Sequence, residues 1–112
     1  MSGWVTVARW DDLPDGARRS IDVAGREVTV LRLGERVVAL RNRCPHANGR
    51  LGDGEVKDGA IVCPLHRWRF SLDDGSTRRD PHLRAELLPA RIEDGEVRVE
   101  VPKAWASAPP DP

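Results

Sequence analysis

The chain has little of what marks several large classes of protein. Its 112 residues include two cysteines and no tyrosine, and 18 basic residues balance 18 acidic ones. Two cysteines are too few for the disulfide framework of a small secreted domain. A net charge of zero argues against a chain-wide surface for nucleic acid. No apolar run approaches the roughly 20 residues that span a bilayer, and no basic region followed by an apolar stretch indicates a signal peptide. We therefore expect a cytoplasmic domain that binds neither nucleic acid nor membrane, with cysteines used for ligation or catalysis.

The apolar residues occur in short runs between turn residues. No window of 11 or more residues sustains a helical repeat, and Asp94-Gly95 lies between two alternating runs, which is a strong hairpin signal. The pattern predicts an all-β domain. The candidate strands are residues 4–8, 18–23, 26–33, 36–40, 60–62, 86–93 and 96–101.

Each cysteine is followed closely by a histidine. Residues 44–46 read CPH and residues 63–66 read CPLH, with sixteen residues between the two boxes. Two such turns brought together supply two sulfur and two nitrogen ligands. That set suits a tetrahedral zinc ion or a [2Fe–2S] cluster in which two histidines replace two cysteines on one iron. Zinc fingers pair Cys with Cys and His with His, so the spacing fits zinc poorly, but ligand type alone leaves both open.

The segment CPHANGRLGDGEVKDGAIVCPLHRWRFSLDDGS, residues 44–76, resembles the cluster-binding segment of the Rieske-type iron–sulfur family. The residues that carry the resemblance are the two boxes, Leu51, Gly54, Gly59, Trp68, Phe70 and Gly75. The later stretch DPHLRAELLPARIEDGEVRVEV is similar to the family's closing hairpin. The resemblance covers most of the chain.

The resemblance implies one [2Fe–2S] cluster as the cofactor. Cys44 and Cys63 are expected to bind one iron as thiolates, and His46 and His66 to bind the other through a ring nitrogen. The implied fold has three antiparallel β-sheets, with a cluster-binding subdomain inserted into a base domain. We expect a single domain over residues 1–104, the subdomain at about residues 42–81, and a loosely ordered tail over residues 105–112 that Trp105 fastens to the domain.

The chain departs from the high-potential members of this family. It lacks the additional cysteines of their disulfide, it has no tyrosine hydroxyl, and Arg67 stands where relatives often carry glycine. Hydrogen bonds to sulfur raise the potential of such a cluster, and Pro45 and Pro64 offer no backbone N–H beside the cysteines. We expect a potential toward the lower end of the Rieske range of about −150 to +300 mV, although the Arg67 cation acts in the opposite direction.

By this resemblance the chain is an electron carrier, a ferredoxin that passes electrons from a flavoprotein reductase to a terminal oxygenase and has no small-molecule substrate of its own. The stretch CPLHRWRF is also similar to the small subunit of NAD(P)H-dependent nitrite reductase. A subunit that works with a nitrite reductase large subunit is therefore the first alternative. A structural zinc module is the second.

Other residues have plainer interpretations. We expect His82 to be a loop histidine, Trp68 and Phe70 to fill the core, and the glycines at 52, 54, 59 and 75 to adopt positive φ in turns. Six basic residues against three acidic ones fall within residues 41–70, whereas residues 71–100 carry an acidic excess. A basic rim around the cluster can steer an acidic redox partner; an ordinary mixed surface is the alternative.

Overall fold

Turn residues separate ten short β-strands in the described part of the chain. The computed structural model describes residues 3–47 and 49–106, which contain no α-helix and three 3₁₀ turns, at Trp10–Asp12, Leu51–Asp53 and Lys103–Ala106. The predicted all-β class is confirmed. The strands are β1 (Trp4–Arg9), β2 (Arg18–Val23), β3 (Arg26–Leu33), β4 (Arg36–Arg41), β5 (Glu55–Lys57), β6 (Ala60–Val62), β7 (Arg69–Ser71), β8 (Leu87–Leu88), β9 (Ala90–Glu93) and β10 (Glu96–Glu100).

The strands form three antiparallel sheets, as the resemblance implied. The outer sheet has the order β1-β10-β9, the middle sheet β2-β3-β4-β8, and the small sheet β5-β6-β7. The outer sheet joins the two ends of the chain, since β1 pairs with β10 from Trp4 opposite Glu100 to Arg9 opposite Glu96, with a bulge between Thr6 and Ala8.

The middle sheet is covered on both faces, and this explains why β3 alternates poorly. Val28 and Val30 of β3 belong to the base core, the apolar cluster that also contains Val97 and Val99 of the outer sheet. Leu31 of β3 belongs instead to the site core, which lies on the side of the small sheet. A strand buried on both faces reads as a nearly continuous apolar run. The site core is formed by Leu31, Val38, Leu40, Cys44, Leu51, Ile61, Cys63, Phe70, Leu72 and Ala85.

Two-residue turns with positive φ connect several strands. Asp94 and Gly95 have φ of 54° and 74° between β9 and β10, so the predicted hairpin is confirmed. Ala24 with Gly25 and Asp58 with Gly59 repeat this pattern, with an αL residue at both positions, between β2 and β3 and between β5 and β6. Positive φ at both central residues suits the right-handed twist of paired strands.

Trp105 closes the base core. It lies in the last 3₁₀ turn, is 6% exposed, and donates a hydrogen bond from Nε1 to Oε2 of Glu86 at 2.9 Å. The guanidinium of Arg26 lies 4.8 Å from its ring centroid. Trp105 is thus packed into the domain although we expected the tail to begin at this residue, and residues 107–112 of that tail lie outside the described residues. Among the described residues, no helix is long and apolar enough to cross a membrane.

Candidate metal centre

The two cysteines lie side by side in the site core. Cys44 follows β4 and Cys63 directly follows β6; both are free thiols with no exposed surface. Burial raises the pKa of the Cys44 thiol, and its contact with the Cys63 thiol raises it further. Such a thiol holds its proton until a metal displaces it, because metal ligation requires the thiolate.

The two histidines lie together on the outside of the cysteine pair. Their ring centroids are 4.7 Å apart with the rings at 71°, so the edge of one faces the other. His46 is half-buried and His66 is exposed. The Cys44 sulfur lies 4.0 Å from Nδ1 of His46. The arrangement therefore has a buried sulfur pair and a solvent-facing nitrogen pair.

The first ligand loop is closed by a backbone bond and a glycine. The Cys44 N–H donates to the carbonyl of Gly49 at 2.9 Å. A Cβ on Gly49 would lie 2.9 Å from Cδ1 of Leu65 and 3.4 Å from the Cys63 sulfur. Gly49 thus lets the two ligand loops approach each other. Sequence reasoning missed it, although Asn-Gly is a turn signal that marks the position.

Two backbone hydrogen bonds of Cys63 close the second ligand loop. The Cys63 N–H donates to the Trp68 carbonyl at 2.8 Å, and the Cys63 carbonyl accepts from the Arg67 N–H at 2.9 Å. Arg67 closes the loop with φ of 62°, a left-handed conformation that costs a residue with a Cβ about 1–2 kcal/mol. Glycine adopts this conformation without that cost.

Trp68 has a role beyond the core packing that we expected. Phe70 is fully buried in the site core, as predicted. Trp68 packs against that core from a half-buried position and also stacks on the His46 ring, with centroids 3.8 Å apart and planes 13° apart. Trp68 therefore orients one of the predicted ligands.

The segment between the two loops is tied to the middle sheet. Arg18 of β2 donates from Nη1 to the carbonyls of Gly52 and Gly54, both at 2.5 Å. The Gly52 N–H donates to Oδ1 of the buried Asn42 at 2.6 Å. No sequence pattern identified Arg18 or Asn42, because their partners are 34, 36 and 10 residues away.

Positive φ was predicted for four glycines, and for two of them this prediction is wrong. Gly59 and Gly75 have φ of 76° and 80°, as expected. Gly54 has φ of −76°, and Gly52 is not among the positive-φ residues. A Cβ on Gly52 would collide with the side chain of Thr29, and a Cβ on Gly54 with the carbonyl of Val62. Close approach, and not φ, requires these two glycines.

The third histidine lies elsewhere. His82 is exposed in a turn where its N–H donates to Oδ1 of Asp80 at 2.8 Å. Within the described ranges it makes no ring contact with His46 or His66. This position agrees with the prediction of a loop histidine.

The predicted ligands fit a two-iron cluster. Within residues 3–47 and 49–106, no group of three or more His, Cys, Asp or Glu side chains is placed to hold one metal ion. The four predicted ligands lie as a thiol pair and an imidazole pair. A Rieske cluster uses one pair on each iron, so the donor chemistry and its division both suit this group.

Comparison with known proteins identifies the family. The chain matches the family model of the Rieske [2Fe-2S] domain over residues 3–101. The anthranilate 1,2-dioxygenase ferredoxin subunit of Burkholderia cepacia is 36% identical over 81 residues, which cover 70% of this chain and 75% of that protein. The ferredoxin of carbazole 1,9a-dioxygenase from Nocardioides aromaticivorans IC177 has a TM-score of 0.80 at 33% identity, covering 88% of this chain and 98% of that one.

A putative NADH-dependent nitrite reductase small subunit from Mycobacterium tuberculosis is also similar. Its TM-score is 0.79 at 28% identity, covering 88% of this chain and 95% of that one. These matches support the cofactor expected from the sequence, one Rieske-type [2Fe–2S] cluster, over the zinc alternative. With residues 3–101 matched and the paired thiols and imidazoles in place, the chain belongs to the Rieske [2Fe-2S] domain family.

Proposed function

We propose that this protein is a one-electron carrier whose cluster is held by Cys44, Cys63, His46 and His66. The thiolates of the two cysteines would bind one iron and the ring nitrogens of the two histidines the other. When bound, the cluster takes up and releases one electron. The chain's own residues supply the rest: the site core excludes water from the sulfur side, and Trp68 holds the His46 ring in place.

The observation that carries this proposal is the opposite exposure of the two ligand pairs. Both cysteines have no exposed surface, whereas His66 is exposed and His46 is half-buried. Electron transfer slows steeply with distance, so a carrier needs one edge of its cofactor close to the surface. The histidine pair provides that edge, and a partner protein would dock against it.

The relatives support a carrier, and not an enzyme with a substrate of its own. The similar proteins from Burkholderia cepacia and Nocardioides aromaticivorans are named as the ferredoxin subunit or ferredoxin of a dioxygenase. We therefore place this chain between a flavoprotein reductase and a terminal oxygenase. Two free, buried cysteines suit a reducing compartment, so we place it in the cytoplasm.

The second candidate is a subunit of a nitrite reductase. The similarity to the Mycobacterium tuberculosis protein, at a TM-score of 0.79, is the observation that favours it. Co-purification with a large subunit containing sirohaem and flavin would decide for this role. Reduction of the isolated protein by a small flavoprotein reductase would decide for the carrier.

We also retain the expected domain organisation as part of the proposal. A base domain from both chain ends would carry an inserted subdomain at about residues 42–81. The separation of the base core from the site core, and the confinement of the small sheet to residues 55–71, support this division.

Histidine variants of the purified, cluster-loaded protein test the ligand assignment. His46→Ala and His66→Ala should each abolish the Rieske-type EPR signal of the reduced protein, because each removes one nitrogen ligand from the same iron. His82→Ala is the matched control, since it changes the third histidine and should keep the signal. A signal that survives at either ligand position would show that the assignment is wrong. A colourless protein that contains zinc would overturn the proposal as a whole.

A further inference from the structure

Four arginines line one open groove beside the second ligand loop. Arg67 and Arg69 come from the end of that loop and from β7, and Arg78 and Arg79 come from the turn after Ser76. All four are exposed, and the groove between them has a volume of about 680 Å³. We call these four residues and the space between them the arginine groove.

In the described part of the chain, the four groove arginines lack the ion pairs that several other surface arginines form. Arg36, Arg50, Arg84 and Arg98 each lie within 4.0 Å of a carboxylate oxygen. Among the described residues, none forms an ion pair with a groove arginine. The acidic residues of the lining are Asp58 and Asp73, and Asp73 is bound to Arg36 at 2.9 Å. The groove thus gathers four cations against two carboxylates, one of which is already bound to Arg36.

The groove is connected to the histidine pair through an aromatic ring. The Arg79 guanidinium lies 6.0 Å from the centroid of Trp68, and Trp68 stacks on His46 at 3.8 Å. Arg67 directly follows His66 in the chain. An anion held in the groove would therefore lie next to the exposed edge of the cluster site.

The surroundings favour a protein as the occupant. Leu65, beside His66, is 56% exposed and is one of three exposed large apolar side chains in the described part of the chain. An apolar centre with a charged rim is the usual composition of a protein interface. Guanidinium groups bind carboxylates through two parallel hydrogen bonds, and several at one edge would fix the orientation of an acidic partner.

We infer that the arginine groove is the docking surface for a carboxylate-rich segment of the protein that exchanges electrons with the cluster. This inference rests on the proposed function and adds the charge of the partner and the residues that recognise it. Opposite charges on the partner would speed the encounter and make electron exchange decrease as salt increases.

Binding of a labelled deca-glutamate peptide to the cluster-loaded protein tests the inference. The variant Arg78→Gln/Arg79→Gln removes two groove cations without touching the ligand loops. The matched control Arg9→Gln/Arg19→Gln removes two exposed cations from β1 and β2, outside the groove. Exposed pairs contribute roughly a factor of two to five each. At low salt, we therefore expect about tenfold weaker peptide binding in the groove variant and little change in the control.

Three outcomes would overturn the inference. The first is equal weakening in both variants, which would mean a general charge effect. The second is no peptide binding at all. The third is binding of inorganic tripolyphosphate that depends on Arg78 and Arg79 while the peptide does not bind, which would mean a small-anion site. EPR of the same samples separates the two proposals: an intact Rieske signal with any of these outcomes rejects the groove alone, whereas loss of the signal from the unaltered protein rejects the carrier.

Discussion

The base core and the site core share the middle sheet but are closed in different ways. The base core lies between the outer and middle sheets, and Trp105 closes it. The site core lies under strands of three residues each, β5, β6 and β7, and includes the sulfur atoms of two predicted ligands. The base core is completed by packing and by the hydrogen bond of Trp105. The other depends on close backbone contacts and, by our proposal, on the cluster itself.

The largest expected effect is a loss of stability from a change in the base core that leaves the site core unchanged. Trp105→Ala removes a buried aromatic side chain and its hydrogen bond to Glu86, and should lower the free energy of unfolding by about 3–5 kcal/mol. The EPR signal of the folded, cluster-loaded protein should not change, because Trp105 belongs to the base core. Urea unfolding followed by circular dichroism measures the loss.

Trp4→Ala is the control for this variant. Trp4 is only half-buried, with the Arg91 guanidinium 4.0 Å from its ring centroid, so the expected loss is about 1 kcal/mol. Equal losses in the two variants would mean that Trp105 does not close the core. A changed EPR signal in Trp105→Ala would mean that the two cores are coupled.

The second largest expected effect comes from a change beside the site core. Gly54→Ala would drive a Cβ into the backbone carbonyl of Val62, next to Cys63, in a place where no side chain can move aside. We expect a loss of about 3 kcal/mol in the free energy of unfolding. Cluster occupancy, measured by visible absorbance per protein, should fall as well.

Gly59→Ala is the matched change at the other end of β5. Gly59 has φ of 76° but no atom within 4 Å of its missing Cβ. Only the left-handed strain of about 1 kcal/mol applies, and occupancy should be retained. If Gly59→Ala costs as much as Gly54→Ala, close approach is not what distinguishes the two glycines.

These residues also mark what sequence could and could not predict. β2, β3, β6 and the Asp94-Gly95 hairpin were predictable because short apolar runs bounded by turn residues are local signals. β5 was missed because its three residues, Glu55–Lys57, contain only one apolar side chain. Gly52 and Gly54 looked like turn residues, since their close approach to Thr29 and Val62 appears only in the fold. The four predicted ligands were found through paired spacing, a local signal, and their role is still a prediction.

Counting charges along the chain also missed the arginine groove, for the same reason. Counting along the chain placed Arg78 and Arg79 in an acidic half, away from Arg67 and Arg69. The fold brings all four to one groove, because the turn after β7 returns beside the second ligand loop. A count of charges along the chain combines residues that lie far apart in the fold. It also assigns to different segments residues that the fold brings together.

The smallest expected effect concerns Arg67, which closes the second ligand loop and is also one of the groove arginines. Arg67→Gly should raise the free energy of unfolding by about 0.5–1 kcal/mol, because relief of the left-handed strain exceeds the greater chain entropy of glycine. It should also lower the reduction potential by roughly a few tens of mV, since it removes a cation beside the predicted ligand His66. Chemical denaturation and a redox titration measure the two effects.

Arg67→Gln separates strain from charge. It keeps a side chain at φ of 62° but removes the cation, so the stability should stay near that of the unaltered protein while the potential falls as in Arg67→Gly. If glutamine leaves the potential unchanged, the effect of glycine comes from loop geometry and not from charge. The potential of the unaltered protein should lie in the lower part of the Rieske range of about −150 to +300 mV. With prolines after both cysteines and no tyrosine in the chain, a value well into the positive range would mean that the Arg67 cation outweighs the missing hydrogen bonds.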